Sequence, residues 1–198
     1  IINIDRNNLL PKVIDYACGA GHFLTEGYSR IKNGLIECAP EMLECENWEE
    51  KVLFGVEKDY RLARVSKIEL FMHGAGNGNI VFGDGLEEHE DKGVVSNTFD
   101  ILVANPPYSV EAFKPHLKVK DDEFKILKYI SNDGSEIETL FVERISQLLK
   151  PNAVAAVILP DSIVRKDMYS FRASREILLQ NFEFKAIVRM ESSTFGKT

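Results

Sequence analysis

Short apolar runs alternate along the chain with longer stretches in which apolar residues recur every three or four positions, the signatures of strand and helix respectively. Val13-Ile14-Asp15-Tyr16 predicts a buried strand, followed by a glycine-rich turn and a helix from His22 to Asn33. Residues 37–50 are acidic, with Met42, Leu43 and Trp48 as their apolar members, and read as an inserted helix or loop. Val52 to Val56 predicts a second strand ending in Glu57. Leu62, Val65, Ile68, Leu70 and Met72 then mark a helix from about Tyr60 to His73, broken by Gly74, Gly76 and Gly78. Ile80-Val81-Phe82 predicts a third strand that ends in Gly83-Asp84-Gly85, and the polar stretch from Glu87 to Asn97 is expected at the surface.

Phe99 to Ala104 predicts a fourth strand. Asn105-Pro106-Pro107-Tyr108 must leave the sheet, because two prolines have no N–H to give a central ladder. Residues 109–135 are charged and irregular, expected as a mobile loop with one helix. Glu138 to Leu149 predicts a helix with Leu140, Phe141, Ile145, Leu148 and Leu149 facing inward, and Lys150-Pro151-Asn152 a turn. Ala153 to Leu159 is the most apolar strand, so a central position is expected for it. A helix from Tyr169 to Asn181 and a sixth strand from Phe184 to Val188 follow. Strands alternating with helices imply an α/β fold, a mainly parallel sheet covered on both faces. In such sheets ligands bind beyond the carboxyl ends of the strands.

Composition narrows this picture. The 198 residues, 44% of them hydrophobic and 28% charged, suit one soluble domain over 1–198. No apolar run approaches the ~20 residues that cross a bilayer, and no secretory signal is visible. The chain opens at Ile1 almost directly into a strand, so a fragment of a longer protein is expected. Cys18, Cys38 and Cys45 are odd in number and irregularly spaced, which argues against a disulfide framework and a zinc site and fits a reducing cytoplasm. His22, His73, His89 and His116 lack ligand spacing, so no metal is expected. The net charge of −7 is wrong for a domain that grips nucleic acid alone. Either the partner is not nucleic acid, or another domain or subunit supplies the basic surface.

Four segments carry candidate chemistry. Asp15-Tyr16-Ala17-Cys18-Gly19-Ala20-Gly21 joins strand to helix, where glycines permit close approach of a ligand and a helix N-terminus offers N–H groups to a carboxylate. Asp15 is placed to accept from a ligand ammonium; taken alone, the segment is also an ordinary tight turn. Glu57 at the end of the second strand suits ribose hydroxyls. Its separation from Gly21 exceeds the usual ~20 residues, and the acidic insertion supplies the excess. Asp84 ends the third strand and suits an adenine amino group, although Gly83-Asp84-Gly85 alone is a turn signature. Asn105-Pro106-Pro107-Tyr108 is the most specific. The Asn105 side-chain oxygen and the Pro106 carbonyl can accept the two hydrogens of an exocyclic amine and stabilise positive charge that develops there. The prolines hold these acceptors rigid, and Tyr108 offers a face on which an extruded base stacks. Leu159-Pro160-Asp161-Ser162 reads as a loop closing the fifth strand beside the cleft.

Together these segments resemble the N6-adenine DNA methyltransferases of the gamma type, above all the modification subunit of type I restriction systems. Asp15 to Leu24 is similar to that family's Asp-Pro-x-Cys-Gly-x-Gly-x-Phe-Leu, with Tyr16 where the family carries proline, a departure expected to shift the loop slightly. Gly55-Val56-Glu57, Gly83-Asp84, Asn105-Pro106-Pro107-Tyr108, Leu149 to Ala153 and Val157 to Asp161 follow in the family's order. Thr194 to Thr198 resembles the stretch before its final strand.

The resemblance implies a Rossmann-like class I S-adenosylmethionine-dependent methyltransferase whose seventh, antiparallel strand is truncated here, and which also lacks the family's upstream cofactor segment and target-recognition region. It implies that Asp15, Cys18 and Gly19 contact the methionine part of S-adenosylmethionine, with Ala17, Gly21 and Phe23 completing the loop. Glu57 would bind the ribose, and Asp84 beside Gly85 the cofactor adenine. Asn105, Pro106, Pro107 and Tyr108 would hold the target base. The implied substrate is double-stranded DNA with a flipped adenine, and the implied partners are specificity and restriction subunits, with no membrane. Two alternatives stay open. One is an amino-directed methyltransferase acting on guanine in RNA or glutamine in a release factor. The other is a non-catalytic nucleotide-binding module of an assembly.

Overall fold

A computed structural model describes residues 4, 8–76, 78–120 and 122–191. The predicted α/β sandwich is present. Its sheet runs in the order β3 (Asn79–Phe82), β2 (Leu53–Glu57), β1 (Val13–Asp15), β4 (Phe99–Ala104), β5 (Leu149–Val157), and every neighbouring pair is parallel. Helices α1 (His22–Cys38) and α2 (Trp48–Val52) lie between β1 and β2, and α3 (Tyr60–Met72) lies between β2 and β3. α4 (Ile137–Leu148) precedes β5, and α5 (Ser162–Arg165) and α6 (Tyr169–Asn181) follow it. Among the described residues, no helix is long and apolar enough to cross a membrane.

Alternation of side chains along each strand divides the core in two. Val13, Leu53, Ile80 and Ile101 pack with Leu24, Ile31 and Leu70 of α1 and α3. Ile14, Phe54, Val81 and Leu102 pack on the opposite face with Leu140, Phe141 and Ile145 of α4. Both faces of the inner strands are thus buried, which is why they read as continuous apolar runs rather than alternating ones. The acidic stretch 37–50 forms the end of α1, a 3₁₀ turn at Pro40–Glu44 and the start of α2. Trp48 is buried and stacks on Tyr28.

Four expectations are corrected. Among the described residues β5 is not central: it borders β4 alone, and Val154 is 41% exposed, because its apolar run faces a layer open on one side. Lys150-Pro151-Asn152 is not a free turn but a bulge inside β5, where the register jumps between Phe99↔Leu149 and Ile101↔Val154. The bulge absorbs a proline without N–H and the left-handed Asn152 (φ 65°). Residues 184–188 form no strand among the described residues. A strand needs a neighbour for its backbone groups, and Ile187 and Val188 stand largely in solvent. Residues 109–135 contain 3₁₀ turns at Lys114–His116 and Leu127–Tyr129 rather than an α-helix. They are anchored by Phe113, Phe124, Ile126, Leu127 and Ile130 in the core. The Glu143 carboxylate of α4 fixes this segment by accepting from the N–H groups of Lys125 (2.8 Å) and Ile126 (3.0 Å). Thr194 to Thr198 lie outside the described residues.

Candidate active site

Strand order places β1 at the point where the chain reverses its direction of travel across the sheet, the position at which such folds leave a crevice. β1 is also the shortest strand. Asp15 pairs with Gly55, and the register Ile14↔Leu102 carries it level with Val103. Glu57 and Asn105 therefore each stand two residues, about 7 Å at the rise of a strand, beyond Asp15 on either side. The result is a recess with Asp15 at its floor.

The loop from Asp15 to Gly21 turns back over β2. Cys18 N–H donates to the Val56 carbonyl (3.0 Å), and Gly19 N–H donates to the Glu57 carboxylate (2.8 Å), whose other oxygen accepts from Asp59 N–H (2.7 Å). Asp15 is 1% exposed and accepts from Ala17 N–H (3.0 Å). Burial pushes its carboxyl up to about 7; the Ala17 N–H pulls it back, and the nearby Glu57 charge raises it further. Gly19 is left-handed (φ 54°), and a side chain there would meet open space. Gly21 serves packing instead: a Cβ would stand 2.5 Å from Ser66 Oγ of α3. Phe23, on the first turn of α1, is 39% exposed.

Cys18 lies in the same loop. Its side chain is buried 3.7 Å from Ser66 Oγ, and burial, then the Asp15 charge, pushes the thiol up to about 12. Both its side chain and its N–H are committed to the fold. Asp84 accepts from Leu86 N–H (3.1 Å) and from Lys58 Nζ (2.6 Å). Gly85 is required for close approach, since a Cβ there would run into the Tyr16 carbonyl oxygen.

On the other side of the recess, the chain leaves β4 at Asn105, which is exposed, while Pro106 is buried. Tyr108 hydroxyl donates to Asn105 Oδ1 (3.2 Å), so the side-chain acceptor is held satisfied within its own turn. The bond from Ile158 N–H to the Ala104 carbonyl (3.0 Å) brings the end of β5, and with it Leu159 to Ser162, alongside. Asp15, Glu57, Asp84 and Asn105 thus share one edge of the sheet, as the sequence predicts.

The family model for N-6 DNA Methylase matches residues 1–198. The chain belongs to the N-6 DNA Methylase family. It is 25% identical to the type II restriction enzyme and methyltransferase RM.Eco57I of Escherichia coli, over 82% of this chain and 21% of that protein. It is 23% identical to the type I restriction enzyme MpnII methylase subunit of Mycoplasma pneumoniae, over 100% of this chain and 35% of that one. The chain therefore spans roughly a fifth to a third of these relatives' length. In fold it is similar to a modification subunit of a putative type I restriction enzyme from Vibrio vulnificus (TM-score 0.63, 23% identity, 86% of this chain and 34% of that one).

Sequence reading of this N-6 DNA Methylase chain missed the polar side chains of α4. Glu138, Glu143 and Arg144 are buried. Arg144 donates to the carbonyls of Gly85 (3.3 Å) and Glu87 (2.8 Å), which holds the loop after Asp84; burial lowers its pKa. Tyr16, where the family carries proline, is also buried, and its hydroxyl donates to the Phe141 carbonyl (3.3 Å), tying the first loop to the same helix. One signal was available. Thr139, Glu143, Ser146 and Gln147 recur as one polar stripe on α4, but Glu138 and Arg144 fall among Ile137, Leu140, Val142 and Ile145 on its apolar face, where a polar side chain must find partners.

Proposed function

We propose that this chain is the catalytic core of an S-adenosylmethionine-dependent DNA methyltransferase that modifies N6 of adenine within a restriction-modification system. The supporting observation is the shared edge: a rigid Asn105-Pro106 turn and the three carboxylates of Asp15, Glu57 and Asp84 border one recess.

The residues suit the cofactor. The open side of Gly19 leaves room for a ligand against backbone. The carboxylates of Glu57 and Asp84 keep lone pairs beyond the bonds they already accept, since an ionised carboxylate has about four acceptor positions. Asp15 would hold the ammonium, Glu57 the ribose hydroxyls, and Asp84 the adenine amino group in exchange for Lys58. Ala17, Gly19 and Phe23 would line the loop, while Cys18, Gly21 and Gly85 would shape it through packing. When bound, S-adenosylmethionine supplies a methyl group carried on a sulfonium.

The target amine is a weak nucleophile because its lone pair is delocalised into the ring. Asn105 Oδ1 and the Pro106 carbonyl would accept its two N–H bonds and draw the nitrogen out of that plane. They would also stabilise the positive charge it gains during attack. Pro107 fixes the turn, and Tyr108 would give up its bond to Asn105 and stack on the flipped base. Asn105 has no basic group, so the surplus amine proton would pass to water. The net charge of −7 supports a reading in which other parts of the protein, or specificity and restriction subunits, would supply the grip on double-stranded DNA.

The test is parallel labelling with tritiated S-adenosylmethionine of DNA from a host lacking adenine methylation, of structured RNA, and of a release factor, using the full-length protein. Label recovered as N6-methyladenine from DNA is expected. Label on RNA or protein with none on DNA would overturn the reading.

A further inference from the structure

We propose that Glu138 is a positioning residue that sets the Asn105–Tyr108 turn. The proposal rests on the reading of that turn as base-holding.

Glu138 lies in the first turn of α4 and is 1% exposed. Its two oxygens are taken by two different rim loops. Oε2 accepts from Ser109 N–H (3.0 Å), in the residue directly after Tyr108, and Oε1 accepts from Ser162 Oγ (3.2 Å), in the loop after β5. Ser109 is left-handed (φ 56°), a conformation that a non-glycine residue keeps only when its surroundings impose it. The carboxylate supplies that imposition. By capturing Ser109 N–H it orients the Tyr108–Ser109 peptide plane, and with it the end of the turn whose start is fixed by β4. Ser162 braces the same carboxylate from the other side, so the loops after β4 and β5 are joined through one buried side chain.

Stability does not explain this choice. A buried carboxylate with two neutral donors costs desolvation that an apolar side chain of similar size avoids. The position therefore serves geometry at the site.

The substitution Glu138→Leu removes the carboxylate while keeping volume, and Glu138→Gln serves as the conservative rescue. In the Gln variant an amide oxygen still accepts from Ser109 N–H, and the amide N–H₂ can donate to Ser162 Oγ. With the full-length protein, tritiated S-adenosylmethionine and unmethylated bacterial DNA, Glu138→Leu is expected to lower kcat on the order of 10²-fold, the scale of a ~1 Å misplacement. Cofactor Kd should stay within about twofold, and the melting midpoint should fall by no more than a few degrees, since Ser109 is exposed and its released N–H can turn to water. Glu138→Gln should keep kcat within about fivefold of the parent, because both bonds survive. A Leu variant with kcat within about threefold of the parent, or one whose cofactor affinity falls in parallel with kcat, would overturn the proposal.

If Glu138→Leu does not fold, Glu138→Asp decides by the same criteria. It keeps the charge but shortens the reach by one methylene, and about a tenfold loss in kcat at unchanged Kd is expected. Asn105→Ala, measured alongside, separates the two failures. If it is inactive while Glu138→Leu is active, only the positioning role falls. If Asn105→Ala retains full transfer, the base-holding reading falls and takes this proposal with it.

Discussion

The loops on the two sides of β1 are held in different ways. Those after β1 and β2 are fixed mainly by their neighbours in sequence or in the adjacent strand: Asp15 takes Ala17 N–H, Glu57 takes Gly19 and Asp59 N–H, and Gly21 lets α1 close on α3. The turn after β4 and the loop after β5 are fixed from behind, by Glu138 of α4, the helix that lies between those two strands in the chain. A side whose bonds run between β1, β2 and the segments that leave them can form with those strands. A side built on a carboxylate of α4 depends on that helix being docked on the sheet, and the hydrogen bonds of Glu138 itself reach only the segments after β4 and β5.

Four experiments break or sharpen that contrast. The largest effect is expected for Asn105→Ala, which should lower methyl transfer by roughly 10³-fold while cofactor Kd stays within about twofold. A parallel loss of cofactor affinity would show that the two sides are not separable. Next is Gly85→Ala, whose added methyl would press on the Tyr16 carbonyl. Overpacking against backbone costs about 1–3 kcal/mol, so the melting midpoint should drop by several degrees. Because Gly85 ties the Asp84 loop to β1, cofactor affinity should fall with it; an unchanged affinity would detach the Asp84 loop from the cofactor side.

The third concerns pH. The Asp15 carboxyl is raised to about 7, so it is neutral below that value, and a ligand ammonium attracts only the ionised form. Cofactor affinity should decrease on the order of tenfold from pH 7.5 to 5.5, and Asp15→Asn should flatten that dependence. The same shift acts in the opposite sense on the unliganded fold. A carboxyl raised from 3.8 to about 7 favours the folded state at low pH, a contribution lost as pH climbs through that window. Calorimetry with and without cofactor at several pH values checks both signs. The smallest effect is at the cysteines. Iodoacetamide at pH 8 should alkylate exposed Cys45 and leave buried Cys18 intact, with cofactor Kd unchanged within about twofold. Native labelling of Cys18 would mean that the first loop opens.

Legibility in the sequence follows the same divide. The carboxylates at three strand ends and the Asn105-Pro106-Pro107-Tyr108 turn are local patterns, and the structure brings them to one edge. Helix α6 and strand β4 fall where the hydrophobic periodicity puts them. The burial of the Cys18 thiol against Ser66 was not legible, because that partner lies 48 residues away in the chain. Glu138 and Arg144 were invisible as supports because their partners, Ser109 and Ser162 for one and Gly85 and Glu87 for the other, are remote in the chain. The strand expected at 184–188 and the central place given to β5 failed for a common reason. Apolar composition measures affinity for a neighbour, and says nothing about whether the neighbour is there.

The short first strand has a consequence for size. Its two flanking strands are one strand apart, so their axes stand about 10 Å from each other. Asp15 lies between them with 1% of its surface exposed, so whatever reaches its carboxylate must come through the width of a single strand. Before any charge is considered, the outline of the sheet already sorts slender molecules from broad ones.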